Sequence, residues 1–268
     1  MKFAKRVLPH TFVLGLVLLS GVITYGQPDD DLIKPSRPSV ANPAEFQKPG
    51  VLQIEFGYDG NFKADKFRSQ HTAPLTVRFA PVERLLLDFN IDTFILEKDE
   101  TGKREKGVGD TRIGVQFLAL KDTGDHPALA FAFYAKLPTA SSEKNLGTGR
   151  MDYRLVALLS KKFGKTDIDF NAAYLNVGRE SSDRRASGGQ AAFSVSRELQ
   201  NDFGITGEIS GQSEDDVQPR GIYGLGAVTY KVNKRLQFDT GLRFGLNPSA
   251  PRIGIFAGFT VGIGNPFR

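Results

Sequence analysis

The sequence predicts an all-β chain, a transmembrane antiparallel up-and-down β-barrel of about twelve strands. Three observations carry that expectation. From Val51 onward, apolar and polar residues alternate with period two in one segment after another. Most segments run about 10–12 residues, which suits a tilted bilayer-crossing strand of about 9–11 and exceeds the globular mode of about 5–6. The connections alternate between short turns and long polar loops, the signature of an outer-membrane barrel.

The chain opens on a secretory leader. Lys2, Lys5 and Arg6 form a basic start, an apolar run follows from Phe12 to Ile23, and Thr24-Tyr25-Gly26 supplies small residues for cleavage before Gln27. Pro9 and Ser20 interrupt the run, and a spanning helix needs about 20 apolar residues, so residues 1–26 read as a signal peptide. No later stretch is long and apolar enough to be a membrane helix. Residues 27–49 carry Pro28, Pro35, Pro38, Pro43 and Pro49 with the triplet Asp29-Asp30-Asp31. That composition predicts a flexible periplasmic spacer. Residues 50–268 are the predicted outer-membrane barrel.

Within it, Leu52, Ile54, Phe56 and Tyr58 alternate with Gln53, Glu55 and Gly57. Leu75, Val77 and Phe79 alternate with Thr76 and Arg78; Leu236, Phe238, Leu242 and Phe244 alternate with Gln237, Asp239, Gly241 and Arg243. Successive strand side chains point to opposite faces, so each segment has one apolar and one polar side. The segments fall at 50–59, 71–80, 83–94, 108–119, 127–137, 149–160, 166–177, 189–198, 203–212, 221–231, 235–246 and 251–263. Connections near 60–70, 95–107, 138–148, 178–188 and 213–220 are long, and Arg104, Lys106, Arg179, Arg184 and Arg185 give them basic character. Anionic surface sugars are one partner such loops suit, and plain solvation is the other reading.

Three arguments turn the apolar face outward. Twelve strands exceed the about eight whose interior side chains fill. The other face carries charges that a dry core would not tolerate unpaired. Tyr58, Tyr153, Tyr174 and Tyr223 fall near strand ends on the apolar side, as an aromatic girdle would. The polar face is therefore the predicted lumen, with Arg78, Arg84, Asp88, Asp92, Arg112, Lys136, Arg154, Asp169, Glu208, Asp239, Arg243 and Arg252 as its charged lining. Those charges suit a selective pathway, and equally a salt-bridge lattice bracing the barrel. Gly224, Gly226, Gly241, Gly245, Gly254, Gly258 and Gly262 are placed on the same inward parity. Inward glycine serves curvature or the close approach of something to the wall, and a smooth wall beside the pathway is the sharper reading.

Composition excludes several chemistries. The chain has no Cys, so disulfides and thiolate sites are out. Without the leader's three basic residues, 32 Lys+Arg stand against 30 Asp+Glu, a net of +2, which gives no electrostatic case for nucleic acid. Mean hydropathy, −0.26, is too polar for a helical membrane protein. Of three His, His10 leaves with the leader; His71, near Ser69, and His126 are the only enzymatic candidates, and no hydrolase motif, metal-ligand cluster or cofactor fingerprint accompanies them. The expectation is a non-enzyme without catalytic residues, metal or cofactor.

Gly107-Val-Gly-Asp110 opening a strand, Lys136-Leu-Pro-Thr139 closing one, and Leu146-Gly-Thr-Gly149 with Asp152 beginning the next resemble the outer-membrane family named for the MetA pathway of phenol degradation. The resemblance spans roughly Val51 to Arg268. It implies a transporter-like barrel passing small compounds, aromatic ones among them, and supplies no catalytic residues. The expected function is a narrow outer-membrane diffusion channel, and the alternative is a closed structural barrel acting through its long loops. Expected partners are outer-membrane lipid, an unidentified small solute, and the barrel-assembly machinery through the C-terminal strand. There the chain departs from the common terminal aromatic: Phe267 is penultimate and Arg268 last.

Overall fold

The computed structural model describes residues 31–64, 67–179, 182–213 and 221–264. The expected leader at residues 1–26, the loop at 214–220 and Phe267 therefore lie outside the described residues. The strands are β1 Leu52–Phe62, β2 Phe67–Val82, β3 Leu85–Asp99, β4 Arg104–Gly107, β5 Thr111–Leu120, β6 Ala128–Leu137, β7 Asp152–Phe163, β8 Thr166–Arg179, β9 Ser182–Glu198, β10 Phe203–Gln212, β11 Gly221–Asn233, β12 Leu236–Gly245 and β13 Ile253–Ile263. Neighbouring strands pair antiparallel, and β1 closes the ring against β13 from Leu52↔Ile263 to Phe62↔Ile253.

Twelve strands make the wall, because β4 is the upper continuation of β5. β3 pairs with β5 over Leu85–Ile91 and with β4 over Ile95–Lys98. Between them, at Val108-Gly109-Asp110, the Gly109 N–H donates to the Asp92 carbonyl at 2.8 Å. A Cβ on Gly109 would stand 2.8 Å from the Asp92 Cβ, so the kink admits only glycine. Opposite it, β3 carries an extra residue between Asp92 and Ile95, and Thr93 and Phe94 are both exposed.

The alternation separates two surfaces. Outward, Phe56, Phe89, Phe117, Phe131, Phe170, Ile209, Val228, Phe238 and Ile255 are exposed all round the ring. So large an apolar belt would be costly in water, and it matches the lipid-facing band of a membrane barrel. Tyr58, Tyr153 and Tyr174 stand exposed at its long-loop edge. Inward, Gln53, Glu55, Arg78, Gln116, Lys136, Asp169, Asn171, Ser194, Glu208, Asp239 and Thr260 are buried.

Strand β11 departs from the sequence reading. Tyr223 lines a lumen chamber with Arg243, and Leu225 and Ala227 are buried beside Phe256. Tyr223 is thus not part of the outer girdle, and Gly224 and Gly226 face outward rather than inward. The segment Gly221–Lys231 has apolar residues on both parities, so period two could not choose; pairing of Leu225 with inward Glu208 and Arg243 decides it.

The belt makes a stability prediction. Phe131→Arg, in the middle of β6, should lower stability by about 2–4 kcal/mol, the penalty for a cation on the lipid face near the midplane. Denaturant titration of the barrel folded into vesicles measures it.

Candidate functional site

The lumen is occupied by the chain's own N-terminal segment. Residues 31–50 enter at the short-turn rim, rise along β1 and β12 to about mid-barrel, and return to start β1 at the same rim. Both legs are fixed at that rim. Leu32 N–H donates to the Lys234 carbonyl (3.1 Å), Lys48 N–H to the Leu32 carbonyl (3.3 Å), and Lys231 Nζ meets Asp31 at 2.5 Å. The composition suggested a mobile spacer outside the barrel, and the structure places these residues inside it. Proline-rich chain lacks its own ladder of hydrogen bonds, and here the barrel wall supplies the partners.

Wall side chains bind the segment's backbone in turn. Lys34 N–H donates to Gln53 Oε1 and Gln53 Nε2 donates back to the Lys34 carbonyl, each at 2.9 Å. Glu55 accepts from Ser36 N–H (3.0 Å), Ser36 Oγ (2.7 Å) and Arg37 N–H (3.0 Å). Glu208 Oε2 accepts from Val40 and Ala41 N–H at the apex, at 2.7 and 2.9 Å. On the return leg Ala44 N–H donates to Ser160 Oγ (2.8 Å), which bonds Asp169, and Gln116 Nε2 donates to the Ala44 carbonyl (2.8 Å). Ala44 and Phe46 fill the apolar hollow left by inward Ala128, Ala130 and Ala132, beside Leu118, Leu158 and Tyr134.

One side chain of the segment is held as a charge. Arg37 makes a two-pronged contact with Asp239, Nε–Oδ2 3.1 Å and Nη2–Oδ1 2.9 Å. To reach it, the guanidinium lies across the cross-strand pair Gly57↔Gly258. A Cβ on Gly258 would stand 2.6 Å from Arg37 Nε, and one on Gly57 2.8 Å from Arg37 Cζ. Gly262 likewise makes room for Ile33, at 2.6 Å. The other inward glycines are covered too: Gly241 by the Phe256 ring, Gly245 by Ala250, Gly254 by Asn61 and Arg243. Of the readings the sequence left open for these glycines, curvature, close approach and a smooth wall, the close approach of packed side chains is what they show.

Above the segment lie polar chambers. One, bounded below by Ser36, Val40 and Asn42, is walled by Asp88, Asn90, Arg112, Tyr134, Arg154 and Asn171. A second, nearer the long loops, has Val40 at its base and Asp59, Asp92, Gln190, Tyr223 and Arg243 around it. The charges are mostly latticed. Arg78, 1% exposed, sits between Glu55 (3.6 Å) and Asp88 (3.5 Å) and donates to the Lys34 carbonyl. Arg243 meets Asp59 at 3.2 Å. Lys136 lies between Asp110 (3.0 Å) and Asp152 (2.7 Å). That triad joins three of the quoted motifs: Asp110 also caps Ala140 N–H, Asp152 accepts from Gly178 N–H, and Leu146 packs on Ile95 and Ala140.

Two sequence candidates do not reach the lumen. Arg84 is exposed in the β2–β3 turn, donating to the Ala119 carbonyl, and Arg252 is exposed in the connection before β13. Each sits at a strand end, where the pleat no longer dictates direction. The sequence reading missed Glu55, Gln53, Gln116 and Ser160 as lumen residues of consequence. Their signal was polar residues at inward parity, three of them opposite a small residue: Gln53 opposite Gly262, Gln116 opposite Ala132 and Ser160 opposite Ala128. His71 lies on the outer face, its Nδ1 2.6 Å from Tyr58 Oη and its ring against Phe62, so Tyr58 rather than Ser69 is its partner.

A family model described as "Putative MetA-pathway of phenol degradation" matches residues 37–262. No curated protein sequence matches the chain. Among solved structures, the COG4313 outer membrane channel from Pseudomonas putida F1 is similar with a TM-score of 0.60 at 14% identity, covering 85% of this chain and 100% of that one. The KdgM porin gives 0.52 at 11% identity over 79% and 99%. At these identities the likeness is one of fold.

The anchors predict how the segment detaches. Glu208→Ala leaves two apex N–H groups without their acceptor, at about 1–3 kcal/mol; Gly258→Phe evicts Arg37 and leaves Asp239 buried and unpaired. Both should raise the reaction rate of a Cys placed at Ser39 with a water-soluble thiol reagent, by about tenfold or more for Glu208→Ala. An unchanged rate would show that these contacts do not hold the segment.

Proposed function

The chain belongs to the family whose model matches residues 37–262, and from that premise we propose that it is an outer-membrane channel for small molecules whose conductance is set by its inserted N-terminal segment. The carrying observation is the layered lumen: a wide vestibule at the short-turn rim, the segment across the middle, and polar chambers toward the long loops. The vestibule is lined by both charge signs, Lys34, Lys161, Lys165 and Lys231 with Asp122, Asp167 and Asp169. The segment leaves space lined by polar side chains beside it rather than an apolar core throughout. It is held by discrete hydrogen bonds, about half of them to carboxylates, which are exchanged singly against water more readily than a packed core is separated.

On this reading the leader of residues 1–26 delivers the chain across the inner membrane, and the segment enters the barrel from the periplasmic side. Lipid surrounds the belt, and the assembly machinery acts through the last strand. The solute is a small molecule, aromatic ones included. No residue performs chemistry on it, and no cofactor or metal takes part. A closed structural barrel is favoured by one observation, the lattice of paired charges around Arg78 and Lys136.

Single-channel recording separates the two. The wild type should show small conductance, and Arg37→Ala combined with Glu208→Gln should raise it severalfold while leaving the barrel folded. Silence in both proteins, with no solute-driven swelling of loaded liposomes, would leave the structural barrel as the reading.

A further inference from the structure

Above the apolar belt, the end of β3 and the short strand β4 form a two-stranded ribbon at the long-loop rim. Alternation sorts its charges by face. Ile95 is buried inward and pairs with Gly107, so Glu97 and Glu105, a cross-strand pair, share that inward face. Lys98, Arg104 and Lys106 take the outward one, and Lys98 stands directly opposite Arg104. Like charges in that position destabilise a strand pair.

The nearby acids do not relieve them. Glu97 accepts from Gln70 Nε2 at 2.9 Å, Glu105 pairs with Lys103 at 2.7 Å, and Asp99 accepts from Thr101 Oγ1 and Lys103 N–H at the ribbon's tip. Among the described residues no ion pair is made by Lys98, Arg104 or Lys106. Lys144 adds a fourth cation, its Nζ 3.5 Å from the Lys106 carbonyl. Below the three cations, on the same outer surface, are Phe94 (45% exposed), Leu96 and Val108 (48% exposed). From Leu87 to Leu96 the outward side of β3 is almost wholly apolar. That stretch covers about 30 Å of strand, or about 23 Å of membrane depth at barrel tilt, against a band of about 25 Å. The cations therefore stand at headgroup height.

We propose that this face is a lipid site: Lys98, Arg104 and Lys106 bind the phosphates of a multiply phosphorylated acyl glycolipid, whose chains lie on Phe94, Leu96 and Val108. Arginine supplies the two-pronged donor geometry that phosphate favours, and the apolar strip beneath it requires an acylated ligand. The site is independent of whether the lumen conducts.

The test titrates full-length barrel in detergent with bisphosphorylated lipid A, its dephosphorylated form, phosphatidylglycerol and inorganic phosphate, counting bound lipid by native mass spectrometry. Heat-modifiable gel mobility confirms folding. Lipid A should bind at least about tenfold more tightly than the other three, a difference that charge-assisted phosphate bonds supply. K98Q/R104Q/K106Q should lose that preference, K98R/K106R should keep it, and K121Q/K162Q at the opposite rim should leave it unchanged. If the triple variant does not fold, R104Q alone should still weaken lipid A by about three- to tenfold. Wild-type affinity in R104Q and the triple variant overturns the proposal. So does equal binding of phosphatidylglycerol, or displacement by inorganic phosphate at lipid A concentrations.

Discussion

The structure depends on one closure, the pairing of β1 with β13. A sheet edge has no partner in hydrocarbon, and each unpaired peptide group there costs several kcal/mol. The eleven residue pairs from Leu52↔Ile263 to Phe62↔Ile253 remove that edge. Closure with twelve strands then creates the next problem. Side chains fill a ring of about eight strands, and a wider ring leaves a lumen. Residues 31–50 occupy that space, and they arrive there because they immediately precede the closing strand.

Filling a lumen with proline-rich backbone raises a second cost, since the segment's N–H groups leave bulk water without a ladder to join. Glu55 and Glu208 answer it directly, and Asp169 through the Ser160 hydroxyl that accepts from Ala44 N–H. A carboxylate accepts several hydrogen bonds at once, and charged acceptors bind more strongly than neutral ones. Glu55 alone accepts from two residues of the segment and faces Arg78 at 3.6 Å. Two of the wall's buried carboxylates are in this sense one system with the segment: without it Asp239 loses the Arg37 guanidinium and Glu208 loses two N–H donors, in a place where lone charges are expensive.

Much of this was legible in the sequence, and the rest was not, for identifiable reasons. The strands, their outward belt and the charged inner parity follow from period two, because each strand has only two faces. Lumen positions such as Asp88, Glu208 and Asp239 follow with them. The pleat loses authority at strand ends, which is why Arg84 and Arg252 were misplaced, and it is silent where both parities are apolar, as at Tyr223 and Gly226. The N-terminal segment was illegible for a different reason. Proline and acidic residues describe a chain unable to form a core of its own. They do not say whether another element will supply its hydrogen bonds. The hint was on the wall, in Gly258 and Gly262 at inward parity, where the close approach of something to the wall is one of the two meanings of glycine, beside curvature.

That fit argues that the segment is part of the fold and not a remnant of export. The family match begins at Arg37, the residue whose guanidinium crosses Gly57 and Gly258 to reach Asp239, and so includes the apex and return leg together with the barrel. A passive linker would need no glycine cradle on β1 and β13, no carboxylate on β12 at its end, and no second carboxylate on β10 aimed at two consecutive N–H groups. Four strands, three of them distant in sequence, are thus shaped to one short stretch. On the proposed channel reading, a solute crossing this barrel passes chain that is bonded to the wall at named points, and the strength of those bonds then governs passage together with the width of the ring.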